Sequence, residues 1–385
     1  MKPRMIIIAG SIAQRVGYGG HVWVFVQYLL GFQRLGWDVL FLDAIDPSLC
    51  RDARGATCAP EESENLRWLE SVMEQFGLGT SWSLTAGSTT FGIPRATVLD
   101  LARNAPLLIN VMGFLADPEI LALPKQRTFL DIDPGFGQMW RASGLADILA
   151  GYDSYLTIGE NIGQTDCTIP RCGLDWITTP QPVVLEEWRI SEGLPRDAFT
   201  TVASWRGPFG PIEFEGQTYG LRVHEFRKFI DLPKSSGERF DIALEIDPIE
   251  TSDLQLLAIH GWNRLEPRSV AGTPDAYREF IRASKAELMV AKQMYVKTRG
   301  GWFSDRSICY LASGRPVLAQ DTGFGCNYPV GCGLLSFATV EEAVEGAKVI
   351  YREYGVHARA ARRLAEEYFD SNIVLSRLLE KLSLV

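Results

Sequence analysis

From Arg299 to Gly325 the chain reads RGGWFSDRSICYLASGRPVLAQDTGFG. A Gly-Gly turn leads into a helical pattern whose first turn holds Ser304, Asp305 and Arg306. Exposed amides at a helix N-terminus, with a hydroxyl and a guanidinium beside them, suit a diphosphate. The same residues also fit an ordinary helix start, with Ser304 as N-cap and Asp305 complementing the helix dipole. The pattern stops at Ala312-Ser313-Gly314, and a strand then delivers Asp321, Thr322 and Gly323 to the same edge.

A second candidate is the loop from Phe129 to Gln138, FLDIDPGFGQ. Its carboxylates can accept hydrogen bonds from sugar hydroxyls, and its aromatic rings can stack on sugar C–H faces. Asp131, Phe136 and Gln138 are therefore expected to bind an acceptor. Two Asp residues at this spacing also fit a metal site. The ten tryptophans, Trp140, Trp176, Trp188, Trp205 and Trp262 among them, suit either a carbohydrate cleft or the core.

The elements that must position these residues alternate. Met5–Ala9 is a continuous apolar run, as in a strand buried on both faces of a parallel sheet. A glycine-containing loop, a helix from His21 to about Leu35 and a second strand, Asp38–Asp43, complete a βαβ unit. A helix at Glu61–Phe76 and strands at Leu107–Val111, Thr128–Ile132 and Tyr155–Ile158 follow. Thr179–Pro195 reads as a connection to a second domain. There the pattern predicts strands at Phe199–Ala203, Phe240–Ile246, Leu256–His260, Leu288–Ala291 and Pro316–Ala319. Helices are predicted at His224–Ile230, Asp275–Ser284 and Asp305–Ala312, with a helical run from Val340 to Leu382. The expected division is 1–190, 191–370, and a last helix, 371–385, that can return to the first domain.

With 385 residues the chain exceeds one ordinary core and suits two domains of about 150–200 residues. Apolar residues are 46% and charged residues 22%, which argues against disorder. A net charge of −9 and a pI near 5.2 argue against a nucleic-acid partner. Seven cysteines form no CxxC pair, and four histidines are too few for a zinc spacing, so reduced thiols in a cytoplasmic protein are expected. The start lacks the pattern of a signal peptide, and no apolar stretch is long enough for a membrane span, so a soluble protein is expected. Gly17-Tyr18-Gly19-Gly20 does not match G-x-G-x-x-G, and Asp43 only weakly resembles the acid of a dinucleotide site.

The second half resembles the GT-B glycosyltransferases. Leu311–Ala319 is similar to their A-x-G-x-P-V segment, and Gly301-Trp302-Phe303-Ser304 to a G-W-x-S piece of the nucleotide-diphosphate-sugar signature. Gly331–Leu335 followed by Thr339–Ala343 is similar to the usual end of that domain. The likeness covers roughly 199–370 well and the first half more loosely. It implies two Rossmann-like α/β/α domains facing a central cleft, with the donor held mainly by the second.

Carried over by position, Gly301, Ser304 and Arg306 are expected at the diphosphate, with Arg299 as a partner, and Asp321, Thr322 and Gly323 at the donor sugar. Ser204 and Arg206 occupy the first loop of the second domain, which touches phosphates in these enzymes, and Lys292 points to the same edge. The family usually carries a ribose-binding Glu on the helix where Ser307, Ile308 and Cys309 stand here, which leaves Asp305 as its substitute. The resemblance gives Gly19-Gly20 a close approach to the donor phosphates, which leaves a retaining route open, or gives His21 the role of general base, from which inversion follows. Asp117, Asp131 and Asp133 are available to orient its ring, with Asp133 expected as the catalytic partner. It implies no cofactor and no metal, with a nucleotide-diphosphate sugar as donor and a small molecule or glycan as acceptor. A homodimer is compatible. The alternatives are a nucleotide-sugar epimerase of the same architecture and a non-catalytic sugar- or nucleotide-binding protein.

Overall fold

The structure, a computed structural model, describes residues 4–190 and 195–384. The first half supplies β1 (Met5–Gly10), β2 (Asp38–Ile45), β3 (Trp82–Ala86), β4 (Thr89–Gly92), β5 (Leu107–Val111), β6 (Arg127–Asp131), β7 (Ser154–Thr157) and β8 (Trp176–Thr178). They form one eight-stranded sheet in the order β4-β3-β2-β1-β5-β6-β7-β8. Every neighbouring pair is parallel except β3 and β4, which form an antiparallel hairpin. Helices cover both faces, so the central strands are largely apolar: all five residues of β5, LLINV, are buried, Asn110 alone among them polar.

The second half supplies β9 (Phe199–Ser204), a separate hairpin of β10 (Ile212–Phe214) and β11 (Gln217–Tyr219), and then β12 (Phe240–Glu245), β13 (Asn263–Leu265), β14 (Ala286–Met289), β15 (Val317–Gln320) and β16 (Leu334–Phe337). Six of these make a parallel sheet ordered β13-β12-β9-β14-β15-β16. In each sheet the chain winds outward from its first strand on one side, then resumes on the other. The order reverses between β1 and β5, and again between β9 and β14. Ligands of doubly wound sheets sit at that reversal, beyond the carboxyl ends of the strands.

The chain crosses between the sheets twice. The outgoing segment after β8 and the incoming one meet where Val183 N–H donates to Phe369 O (2.7 Å) and Ser371 N–H donates to Val183 O (2.9 Å). The last helix, Ser371–Lys381, lies on the first, Gly19–Arg34; a Cβ at Gly31 would stand 2.4 Å from Leu375 Cδ1. Residues 191–194 of the connecting segment, and with them the expected boundary between 190 and 191, lie outside the described residues, as do 1–3 and 385.

The strand expected at Leu256–His260 is instead part of a helix, Thr251–Ile259, with Asp253 and Leu257 buried. A short apolar run such as LQLLAI carries no period that separates the two forms. The neighbouring strand is β13, NRL, an edge strand too exposed to carry an apolar signature.

Candidate active site

The carboxyl ends of β1, β5 and β6 face those of β9 and β12 across a cleft. It contains a chamber of about 260 Å³ and a larger one of about 1030 Å³. Tyr18, His21, Ser204 and Glu245 line both, so the chambers meet there.

The smaller chamber begins at the first helix. That helix starts at Gly19 with no side-chain cap at Tyr18, so its first amides are available to a ligand. Glycine is required here by the other domain. A Cβ on Gly19 would come 2.1 Å from Thr273 O, and one on Gly20 would come 2.7 Å from the Tyr277 ring. The glycine pair thus lets the helix end abut the second domain while lining the chamber.

Opposite stand Arg222, Arg268, Asp305 and Arg306. Arg306 is engaged from behind, with Nε donating to Glu287 Oε1 (2.5 Å) and Nη1 to Val202 O (2.7 Å). Arg222 is 9% exposed, and its Nε and Nη1 donate only to carbonyls, of Val290 (2.9 Å) and Ser204 (3.3 Å). Burial, then the nearby positive charge of Arg306, lowers its pKa to about 10. Among the described residues no carboxylate pairs with it. Arg268 lies over the Tyr18 ring at 5.6 Å, Arg15 over the same ring at 5.8 Å, and the Tyr18 hydroxyl donates to Glu245.

His21 stands where the chambers meet. Its Nε2 is 3.0 Å from Ser11 O and 3.2 Å from Ser11 Oγ. A carbonyl can only accept, so Nε2 carries the proton and Nδ1 the lone pair. Burial lowers the His21 pKa to about 4, which keeps the ring neutral at pH 7. None of the three carboxylates named above orients it. Asp117 pairs with Arg95 (2.6 Å), Asp131 accepts from Gln138 (2.6 Å) and Thr157 (3.0 Å), and Asp133 is held by Lys292. The backbone carbonyl of Ser11 does that work instead.

The 129–138 loop is largely internal. Asp131 (2% exposed), Phe136 (0%) and Gln138 (0%) are packed beneath the cleft rather than lining it. Burial raises the Asp131 pKa to about 6. Asp133 lines the larger chamber, where Lys292 Nζ from the second domain lies 2.9 and 2.7 Å from its oxygens and the Tyr295 hydroxyl donates to it. The two Asp residues therefore make no shared site, and no cluster of three or more His, Cys, Asp or Glu among the described residues could hold a metal ion. Ser204 lines both chambers, and Arg206 lines the larger one, paired with Glu250 (3.1 Å).

The Gly300-Gly301 turn takes a different place from the one its sequence suggests. Asn161, from the first domain, donates through Nδ2 to Arg299 O (3.1 Å) and Gly323 O (3.0 Å), and its own N–H donates to Gly300 O (3.0 Å). Gly301 has φ +75°, and a Cβ there would fall 2.7 Å from Asn161. Arg299 pairs with Asp321 (3.1 Å), Gly301 N–H donates to Thr322 O (2.9 Å), and Ser304 caps its helix by accepting from Arg306 N–H (3.2 Å). Arg299, Gly301 and Gly323 thus meet Asn161 across the domain boundary, Ser304, Asp321 and Thr322 bond within the second domain, and all six lie outside both chambers; of the 299–307 segment, Asp305 and Arg306 reach the cleft wall.

Sequence reasoning missed Tyr18, Arg222, Glu245 and Arg268. Glu245 carried a signal, being a charge at the carboxyl end of the buried strand FDIALE. Arg222 is placed by the segment after β14, where Met294 N–H donates to Gly220 O (3.0 Å) and Val290 O accepts from Arg222 Nε (2.9 Å), which nothing local announces. Asp43, the weak dinucleotide candidate, accepts from the amides of Ala13 and Ala44 (both 2.7 Å) and shapes the loop after β1; burial raises its pKa to about 7.

No protein-family model matches the chain, and no curated protein sequence does either. Solved structures match over nearly its whole length. The Anabaena protein HepE in complex with UDP and glucose is similar with a TM-score of 0.58 at 12% identity, covering 99% of each chain. An alpha-glucosyltransferase in complex with UDP and a 13-mer DNA containing an HMU base gives 0.60 at 9% identity, covering 98% of this chain and 99% of that one. Sucrose-phosphate synthase from Thermosynechococcus elongatus gives 0.53 at 13% identity, covering 99% of each. The two facing doubly wound domains are the GT-B fold. No helix among the described residues is long and apolar enough to cross a membrane.

Proposed function

We propose that the protein is a glycosyltransferase that moves a sugar from a nucleoside-diphosphate sugar to an acceptor hydroxyl. The observation that carries this is Arg222: a cation buried in the smaller chamber, without a carboxylate partner among the described residues, opposite an uncapped helix N-terminus. A buried charge needs an opposite charge, and a diphosphate supplies it. The diphosphate lies between the Gly19–Gly20 amides and Arg222, with Arg268 and Arg306 adding positive field. The sugar then sits at the junction by His21, Ser204 and Glu245, and the acceptor in the larger chamber. Enclosure between two domains keeps water from the donor.

The acceptor oxygen bonds to the anomeric carbon as that carbon's bond to the diphosphate oxygen breaks. The bonding pair leaves with the nucleoside diphosphate. The hydroxyl proton passes to Nδ1 of His21 in a direct displacement with inversion, or to the departing diphosphate oxygen with retention. The anomer of the product distinguishes the two.

The test is incubation with UDP-, GDP-, dTDP- and ADP-sugars, with and without candidate acceptors. Release of nucleoside diphosphate that depends on an acceptor, together with a new glycoside, supports transfer. Conversion of the donor to its epimer without acceptor would assign the chain to the epimerases. Binding with no turnover in any combination would make it a non-catalytic module.

A further inference from the structure

The larger chamber has a chemistry of its own. Its charged groups are mostly spent on one another: Asp133 on Lys292 and Tyr295, Arg206 on Glu250, and Glu245 on Tyr18. Arg15 and Asp247 are the remaining charges on its wall. The rest is dominated by Met112, Phe114, Ile132, Trp140 and Ile148 from the first domain and Phe209 from the second. Phe209 closes this wall across the domain boundary, its ring 5.0 Å from those of both Phe136 and Trp140.

At Trp140, Pro208 and Phe209 the chamber continues into an outer trough of about 590 Å³ that includes Leu145. Leu145 is 70% exposed, and Ile249, between the lining residues Pro248 and Glu250, is 81% exposed. Leu145 thus extends the apolar wall of the chamber outward to solvent. A free oligosaccharide is held along its length by carboxylates and amides, and on this wall only Asp247 and Gln14 lie outside an ion pair or the Glu245–Tyr18 hydrogen bond among the described residues.

We infer that the acceptor is an amphipathic alcohol. Its hydroxyl reaches the Ser11–His21–Ser204 junction, and its extended apolar body, alkyl or fused-ring, runs along the Phe114–Phe209 wall and out over Leu145. The inference rests on the transferase reading for the role of acceptor. The apolar occupant itself rests on the wall.

Calorimetric titration of the full chain tests it with octyl β-D-glucoside below its micelle concentration, 2-naphthyl β-D-glucoside and maltotriose. At least one apolar glucoside is expected to bind about tenfold or more tightly than maltotriose. Octyl binding assigns the alkyl source and naphthyl binding the fused-ring source. Phe209→Ser should weaken the bound glucoside about fivefold or more, and Leu145→Asp, at an exposed site where folding is not at stake, about twofold or more for the octyl chain. Equal or tighter binding of maltotriose overturns the inference, as does apolar binding indifferent to both substitutions. UDP, GDP, dTDP and ADP are titrated in parallel. Nucleotide binding with maltotriose preferred removes the acceptor class alone; no nucleotide binding, with an apolar glucoside held, removes the transferase reading and keeps the apolar occupant.

Discussion

Lys292, leaving the end of the second sheet's β14, places its ammonium 2.7 Å from Oδ2 of Asp133 on the loop after β6 of the first sheet. Both side chains are mostly enclosed (13% and 17% exposed), and the ammonium also lies 4.9 Å from the Phe136 ring. A pair enclosed in this way fixes the separation of the domains along the cleft. Removing one partner leaves the other charge enclosed and uncompensated. Lys292→Met alone should cost about 3 kcal/mol in denaturant unfolding, and Lys292→Met with Asp133→Asn should recover a substantial part. Additive losses would show that the two charges are not coupled.

Asn161 ties the loops at 299–301 and 323 to the first domain through two donated bonds from one amide. Asn161→Ala leaves one buried and one part-buried carbonyl short of a donor, at about 2 kcal/mol in stability. Since those loops lie outside the chambers, nucleoside-diphosphate affinity should stay within about threefold of wild type. A large loss of affinity with little loss of stability would return the Gly300-Gly301 turn to the binding site.

Lys292, Asp133 and Asn161 mark how far the sequence could be read. The buried central strands were legible because both faces are covered, which leaves continuous runs such as MIIIAG and VLAQ. Edge strands such as β8 and β13, three residues each and only partly covered, left no pattern to find. The Gly-Gly turn before Ser304 reads locally as an anion site, but whether a ligand or a protein group fills such a turn depends on what the other domain brings to it. Here that is Asn161, 138 residues distant from Arg299. The same holds for Lys292 and Asp133, whose types suggested chemistry and whose partner is each other. Arg222 reached the chamber from a stretch that reads as an ordinary helix start.

His21 gives the protein a defined acid sensitivity. Its folded pKa is about 4 against 6.5 for the free side chain, so between these values the unfolded chain binds a proton that the folded one excludes. The ring therefore contributes most stability above pH 6.5, and that contribution is lost as pH falls toward 4. The wild-type protein should lose up to about 3 kcal/mol over this window relative to His21→Gln, which lacks the group. Parallel unfolding curves for the two proteins from pH 7 to 4.5 would contradict the assignment of a neutral, enclosed imidazole.

Gly20 is set by domain contact as much as by any ligand. Its Cβ would meet the Tyr277 ring at 2.7 Å, so Gly20→Ala must push the domains apart or move that ring. A loss of about 1–3 kcal/mol in stability is expected, and Tyr277→Ala in the same chain should relieve part of it. No relief would mean that the two side chains do not meet.

In the proposed transferase Arg222 is the buried counter-charge for a diphosphate. The direct measurement is calorimetric titration of UDP, GDP, dTDP and ADP into the wild-type chain and into Arg222→Gln. At least one nucleoside diphosphate is expected to bind, and the substitution to weaken it about tenfold or more. Unchanged affinity in the Arg222→Gln protein, or no binding of any of the four to wild type, would contradict it.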